Sequence, residues 1–230
     1  MQGNRTLLAG AVNITADQSL GEIATRIPAA SRVFRSMGLD YCCRGKRSVS
    51  EACSEAGLDP AAVLQSIQAT EPEPESSWES KPLPALVAHI VDRYHDTLRR
   101  ELPELCEMAA TVEQKHAAKP SCPHGLAMHL HGIHEAVLSH LEKEEGILFP
   151  MILAGHGARA GGPIQVMEME HEEHGANLAR TRALTSDLVA PPEACPTWQA
   201  LYARLRELET DLMDHIALEN NVLFPRALCE

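Results

Sequence analysis

Apolar residues near the start of the chain recur at helical spacing, and a glycine at position 38 ends the run. Residues 49–56 and 60–67 have a similar pattern over shorter lengths and predict two more helices. The apolar positions of the first run are Leu20, Ile23, Ile27, Val33, Phe34 and Met37. We therefore predict a small helical module at residues 13–69.

The second part of the chain contains four long segments with a helical pattern. They cover residues 83–117, 123–149, 163–187 and 197–222, and proline- or glycine-rich stretches that break helices separate them. Short connections between long helices favour antiparallel neighbours. The predicted fold of residues 83–230 is an up-down-up-down four-helix bundle.

The stretch between these two parts, residues 70–82, combines three prolines with serines and acidic residues. Neither helical nor strand periodicity continues through it, so we predict a linker. Aromatic residues make up only 3% of the chain, while alanine, leucine and glutamate recur. Because this composition favours helices over sheets, the predicted fold class is all-α.

The net charge, the apolar runs and the cysteine content of the chain exclude several kinds of partner and cellular location. The formal net charge of −12 argues against a nucleic-acid partner, which would need clustered lysine and arginine. No apolar run approaches the roughly 20 residues of a membrane span, and residues 7–12 are too short for a signal-peptide core. Seven cysteines, two of them adjacent, do not form the pattern of a secreted disulfide scaffold. We expect a cytoplasmic protein with reduced thiols and no membrane partner, and a homodimer is possible.

Two eleven-residue stretches, 140–150 and 215–225, repeat one pattern in which a histidine stands four residues before a glutamate and Leu-Phe-Pro follows. On a helix, such a pair projects from one face about 6 Å apart. One further histidine, His95 or His171, precedes each motif by 45 or 44 residues. The chain thus consists of two similar halves, which predicts four helices that deliver ligands to one shared metal centre.

The predicted ligands are His95, His140, Glu144, His171, His215 and Glu219. Four imidazoles and two carboxylates are too many for one tetrahedral zinc ion and suit two metals bridged by the carboxylates. Imidazole ligands with paired carboxylates inside a helical bundle favour iron. We predict a non-haem di-iron cofactor, with coordination positions left for a bridging oxygen or a small ligand.

Two residues are candidates for contacts with the ligands rather than with the metal. Glu170 is adjacent to His171, and His116 lies near the end of the first bundle helix, where a kink at Pro103 would bring it closer. His124, His129, His131 and His134 are expected to be solvated or capping, and His174 is expected on the surface rather than as a ligand.

The adjacent cysteines Cys42 and Cys43 are the candidate reactive residues of the small module. A disulfide between neighbours closes a strained ring and would be readily reduced. The charges of Arg44, Lys46 and Arg47 favour thiolate. This indicates redox or metal handling, and the alternative is one buried and one inert thiol.

These motifs resemble those of a known family. The bundle is similar to the hemerythrin-like fold, and the whole chain resembles the iron-sulfur cluster repair di-iron proteins (RIC, of the ScdA/YtfE type), whose N-terminal module carries the cysteine pair. The matching stretches are Tyr41 to Gly45, Tyr94 to Asp96, His140 to Pro150, Met167 to His171 and Leu212 to Pro225. The resemblance implies a cytoplasmic protein that protects or repairs iron-sulfur clusters damaged by nitric oxide or peroxide. It also implies a di-iron centre on the six predicted ligands, with the glutamates bridging.

The resemblance also separates this chain from oxygen carriers. Oxygen-carrying hemerythrins have another histidine one turn after the position of His171, and this chain has Gly175 there. Reversible oxygen carriage is therefore not expected, and the iron should be more open and more labile.

Two hypotheses for function follow. The first is donation of iron to apo or damaged clusters, with iron-sulfur proteins as recipients and the Cys42-Cys43 module docking on them or exchanging thiols. The second is that the centre binds nitric oxide or dioxygen, either sequestering nitric oxide or reducing it to nitrous oxide, which would make the protein an enzyme. A sensor role is less favoured because the chain has no output domain.

Overall fold

A computed structural model of the protein describes residues 14–70, 78 and 80–230. The chain divides into two compact units, with the division at residue 75. The segment at 7–12 and most of the predicted linker at 70–82 lie outside the described residues. Within the described part, every regular element is a helix, and an isolated bridge joins Ser19 to Ser48. The all-α prediction is confirmed.

The first unit contains four short helices. They are α1 (Leu20–Arg26), α2 (Pro28–Ser36), α3 (Val49–Ala56) and α4 (Pro60–Gln68). Ser19 and Ser48 cap α1 and α3 with capping boxes, each closed by a glutamate three residues later. The single run predicted up to residue 37 is two helices, because Ile27 precedes a proline and cannot easily adopt the helical conformation.

The second unit is the predicted four-helix bundle, and three of its four long helices contain a π turn. The first comprises α5 (Leu83–Ile90), the π turn Val91–His95 and α6 (Asp96–His116); the second comprises α7 (Leu126–Lys143), the π turn Glu144–Leu148 and α8 (Phe149–Leu153); the third is α9 (Gly161–Leu184); the fourth comprises α10 (Pro196–Leu218), the π turn Glu219–Leu223 and α11 (Phe224–Cys229). Helices α6 and α9 each pack against both α7 and α10. Each long helix therefore has two neighbours, as an up-down bundle requires.

Three of the predicted C-terminal helix ends differ from the structure by more than two residues. The second and fourth helices continue past Pro150 and Pro225, which lie at the start of α8 and α11, directly after a π turn, where a missing N–H is tolerated. The third helix ends at Leu184 instead of 187, because residues 186–188 adopt left-handed backbone with φ of 50° to 60°.

One end of the bundle is closed by an apolar core to which all four long helices contribute. Its fully buried members include Leu86, Ile90, Leu148, Leu223 and Phe224. Because these residues sit within one or two turns of the π segments, they fix the height at which the neighbouring polar side chains enter the bundle. No helix in the described part of the chain is both long and apolar enough to cross a bilayer.

A 3₁₀ turn at Gly157–Arg159 contacts α11 closely enough to exclude a side chain at its first residue. A Cβ on Gly157 would overlap the backbone carbonyl of Ala227. We expect Gly157→Ala to lower the free energy of unfolding by about 1–3 kcal/mol in a denaturant titration, because backbone must move. Gly132→Ala, in α7 with open space around it, is the control and should be neutral or stabilising. Equal stability of the two variants would contradict this prediction.

Candidate metal centre

The three π turns coincide with predicted ligands. His95 ends the first π turn, Glu144 begins the second and Glu219 begins the third. A π turn inserts one extra residue into a helix and re-aims the side chains around it, and such turns occur frequently at functional sites. In this bundle the π turns contain Glu144, Glu219 and His95, and the side chains of all three point into the interior.

The structure brings all six predicted ligands together, and all six are buried. They form two groups, His95, Glu144, His215 and Glu219, and His140, Glu144, His171 and Glu219, and the possible ligand atoms within each group lie within 4.8 Å of one another. Each group takes one histidine from each half of the sequence. Both glutamates belong to both groups, which is the arrangement that two cations sharing two carboxylates would need.

Three of the four imidazoles in the centre have their orientation fixed by a hydrogen bond from Nδ1. The Nδ1–H of His95 donates to Glu145 Oε1 at 2.7 Å, that of His140 to Glu170 Oε2 at 2.9 Å and that of His171 to Asn220 Oδ1 at 2.9 Å. A proton on Nδ1 leaves the lone pair on Nε2 facing the interior. This is the tautomer and the outer support that metal-bound histidines use.

The inward-facing atoms fit cations. His140 Nε2 and His171 Nε2 lie 3.1 Å apart, and because both rings carry a proton on Nδ1, two lone pairs face each other unless a proton or a cation lies between them. The carboxylates of Glu144 and Glu219 are fully buried, and none of their oxygens makes a hydrogen bond of good geometry with the described residues. The Nε2 atoms of the four histidines lie 3.1 to 3.4 Å from these oxygens. Such buried polar atoms are rare and costly. Imidazole and carboxylate donors together suit iron, zinc and related transition metals.

Charges inside the centre shift the pKa values of its members. Burial alone would lower the pKa of His140, but the carboxylates of Glu144, Glu219 and Glu170 raise it to about 9. Burial alone would raise the pKa of Glu219, but the neighbouring histidines His215 and His171 hold it well below its usual value. A proton on His140 therefore offsets part of the carboxylate charge in the metal-free protein, and a cation that binds this imidazole has to displace it.

The repeated Leu-Phe-Pro sequences also have a place in the centre. The Phe149 ring stacks on His95 with centroids 5.6 Å apart, and the Phe224 ring stacks on His171 at 5.8 Å. Each phenylalanine is buried. The two halves of the bundle therefore close the centre with equivalent aromatic side chains, which keeps water from the ligand imidazoles.

Of the two residues expected to support the ligands, Glu170 is in contact with them. It accepts the hydrogen bond from His140, and its second oxygen is paired with Lys143. The lysine and the histidine together hold the pKa of Glu170 below its usual value, against the opposing effect of burial.

The structure does not bring His116 to the centre. Its Nε2 lies 3.2 Å from Cys195 Sγ, and its ring packs against Trp198. Because α6 continues as a helix through Pro103, about 31 Å of helix separates His116 from His95. The kink that would have shortened this distance does not bring the two histidines together.

Two further residues that support the ligands were not singled out by their sequence. Glu145 and Asn220 each directly follow a shared glutamate, at equivalent positions of the two repeated stretches. Glu145 is also paired with Arg99 at 2.8 Å. The equivalence of the two positions is the signal that could have identified them, although one is an acid and the other an amide.

The prediction that His174 lies on the surface is wrong. Its side chain is only 3% exposed, and its ring meets that of His140 edge-on, with centroids 5.0 Å apart. The reason is that α9 packs against both α7 and α10, so residues three positions apart on it are both covered. Burial, followed by the neighbouring histidines, lowers the pKa of His174 to about 3. It is therefore a neutral imidazole next to the centre.

The cysteine pair in the first unit is held by one carboxylate. Asp40 Oδ1 accepts hydrogen bonds from the backbone N–H groups of Cys42, Cys43 and Arg44, and the two thiols lie 3.6 Å apart without forming a disulfide. The expected bias toward thiolate does not hold for Cys42. Its hydrogen bond with Cys43, burial and the Asp40 charge raise the pKa of this thiol well above its ordinary value. The side chains of Asp40, Cys42 and Cys43 are close enough to hold one ion.

Comparison with known proteins also indicates a cation-binding bundle preceded by a separate N-terminal domain. Residues 86–227 match the hemerythrin HHE cation binding domain, and residues 16–71 match ScdA_N, a domain of unknown function (DUF542). Proteins named iron-sulfur cluster repair protein YtfE from Escherichia coli O8 (strain IAI1) and Shigella boydii serotype 4 (strain Sb227) are each 50% identical over 213 residues, which cover 92% of this chain and 97% of the relative. The family resemblance expected from the motifs is confirmed, and the chain belongs to the hemerythrin HHE cation-binding family, in the group with an N-terminal ScdA_N domain.

Proposed function

We propose that the protein holds two irons in the bundle and repairs iron-sulfur clusters by donating iron to them. The observation that carries this proposal is the pair of four-residue groups that share Glu144 and Glu219. It occurs in a chain 50% identical to relatives named iron-sulfur cluster repair proteins. His95 and His215 would hold one iron, and the remaining two histidines would hold the other. When bound, the iron pair supplies Lewis-acid and one-electron chemistry.

The charges around the centre favour release of the iron. Two shared carboxylates offset only half of the charge of two Fe²⁺ ions. The outer carboxylates add little, because Glu145 is paired with Arg99 and Glu170 with Lys143. A buried excess of positive charge is costly, and protons compete for His140. A centre with these properties suits a protein that donates iron better than one that stores iron permanently.

The first unit supplies a second element of the proposal. We assign Cys42 and Cys43 to docking on the recipient protein or to thiol exchange with it, because Cys43 is partly exposed and the two thiols lie side by side. The raised pKa of Cys42 leaves it protonated at neutral pH, so Cys43 is the better candidate for the attacking thiol. None of the seven cysteines is in a disulfide, which supports a reducing compartment such as the cytoplasm.

The test is transfer of iron to a damaged cluster. An iron-sulfur enzyme inactivated by nitric oxide is incubated anaerobically with ⁵⁷Fe-loaded protein, sulfide and thiol. We expect activity to return and ⁵⁷Fe to appear in the recipient cluster by Mössbauer spectroscopy. The metal-free protein and an equal amount of free ⁵⁷Fe²⁺ are the controls. If the label stays in the bundle, or free iron restores activity equally well, iron donation is not the function.

A second candidate function is nitric oxide binding. Each group offers four protein ligands, whereas octahedral iron has six positions, so a small molecule has room to bind. Anaerobic stopped-flow mixing of the reduced protein with nitric oxide tests this function. A stable nitrosyl spectrum would indicate scavenging, nitrous oxide in the headspace would indicate reduction, and an unchanged spectrum would exclude both.

A further inference from the structure

His174 is a buried polar residue that the proposed iron ligation does not use. Its side chain is 3% exposed, and neither ring nitrogen has a hydrogen-bond partner among the described residues. A neutral imidazole carries one N–H donor and one acceptor, and leaving both unsatisfied in the interior is costly. A fold keeps such a residue only if another benefit offsets this cost.

The two halves of the bundle provide an internal comparison. His174 follows the ligand His171 by three residues, and the residue three after the ligand His95 is Leu98, which is fully buried. An apolar side chain therefore serves the packing at the equivalent position of the other half. The imidazole of His174 is not required to fill space, so its polar atoms are what distinguish the two halves.

His174 lies next to one of the two four-residue groups. Its ring lies edge-on to that of His140, a member of the group that contains His171. His174 itself belongs to neither four-residue group, so its nitrogens do not lie among the shared ligand atoms. It lies beside His140 at one of the two metal positions, and the equivalent position in the other half is the apolar Leu98.

We propose that His174 donates a hydrogen bond to a small anionic or diatomic ligand that enters the His140–His171 side of the metal centre. This inference rests on the proposed binding of two irons. His174 meets the His140 ring edge-on, and the charges of His171, His215 and Glu144 also act on it. With cations bound to these residues, the surroundings favour a negative ligand. A neutral N–H donor stabilises that ligand without repelling the cations.

Azide binding tests this role. Azide is titrated into the iron-loaded, oxidised protein and followed by its optical band, and iron per chain is measured in parallel. His174→Leu copies the residue of the other half and should keep two irons while weakening azide binding by about 10- to 100-fold, the range for a hydrogen bond to a charged acceptor. His174→Gln, which retains an N–H donor, should recover part of the affinity. His131→Leu, an exposed position on α7, is the matched control and should bind azide like the wild type.

A vibrational measurement separates hydrogen bonding from a purely structural effect. The stretching band of bound azide should shift between H₂O and D₂O in the wild type, and the shift should be absent in His174→Leu. Full iron content with unchanged azide affinity in His174→Leu would overturn the inference, and so would loss of an iron, because His174 would then be a ligand. A wild-type protein that does not hold two irons would instead overturn the proposed function, and the inference with it.

Discussion

Replacing either shared glutamate by leucine is expected to remove both irons, whereas replacing one histidine should weaken only one metal position. Glu144 and Glu219 belong to both four-residue groups, and each histidine belongs to one. Glu144→Leu and Glu219→Leu should therefore reduce the iron content from two per chain to nearly none. His95→Ala removes a ligand of one group only, so it should leave one iron held by the other group.

Elemental analysis and Mössbauer spectroscopy after anaerobic reconstitution measure this difference. Glu142→Leu is the matched control, because Glu142 is exposed on the same helix two residues before Glu144, and it should keep both irons. Circular dichroism should show that the two leucine variants remain helical, since each replaces a fully buried carboxylate by an apolar side chain of similar size. If Glu144→Leu and His95→Ala lost equal amounts of iron, the two positions would not share the carboxylates.

The positions of the six inward-facing residues could be predicted because the sequence repeats them. A histidine and a glutamate four residues apart must share one face of a helix, and the second copy with Leu-Phe-Pro fixes the relation between the two halves. The pairing of the imidazoles was not predictable in this way. His95 meets His215, and His140 meets His171, because of how α6 packs on α10 and α7 on α9. Sequence spacing contains no information about that choice of neighbour.

The positions of His174 and Cys42 show a second limit. A residue three positions from a ligand lies about 60° around the helix from it. Whether its side chain is buried depends on how far the neighbouring helices extend over that side of the helix. For Cys42, the basic residues nearby in sequence suggested a thiolate, but the groups that contact the thiol are Cys43 and Asp40. The burial of His174 and the raised pKa of Cys42 both depend on contacts with residues distant or adjacent in the fold. Such contacts cannot be read from the periodic pattern of the sequence.

The affinity for iron is expected to rise steeply with pH, up to about pH 9. In the metal-free protein the pKa of His140 is about 9, because Glu144, Glu219 and Glu170 outweigh the opposing effect of burial. Iron binds the unprotonated imidazole, so below this pKa each binding event must release a proton. Loss of one pH unit should then cost about tenfold in apparent affinity. A histidine of ordinary pKa, about 6.5, would impose no such cost between pH 6.5 and 9.

The sign of this effect is opposite for the stability of the metal-free fold. A raised histidine pKa stabilises the folded state fully below the unfolded value of about 6.5, and this contribution disappears as the pH rises through about 9. The metal-free protein should therefore lose stability over the same interval in which iron affinity increases. Thermal unfolding at pH 6.5 and 9, with and without iron, measures both effects.

A competing chelator at several pH values gives the affinities directly, and Glu170→Gln is the variant that tests the cause. The amide removes one of the carboxylates that raise the pKa of His140 while it can still accept the Nδ1–H bond. Its affinity curve should therefore shift toward lower pH and retain more iron near neutrality than the wild type. A wild-type affinity that stays constant between pH 6.5 and 9 would mean that no proton is displaced from His140. An unshifted Glu170→Gln curve would mean that the shared glutamates alone set its pKa.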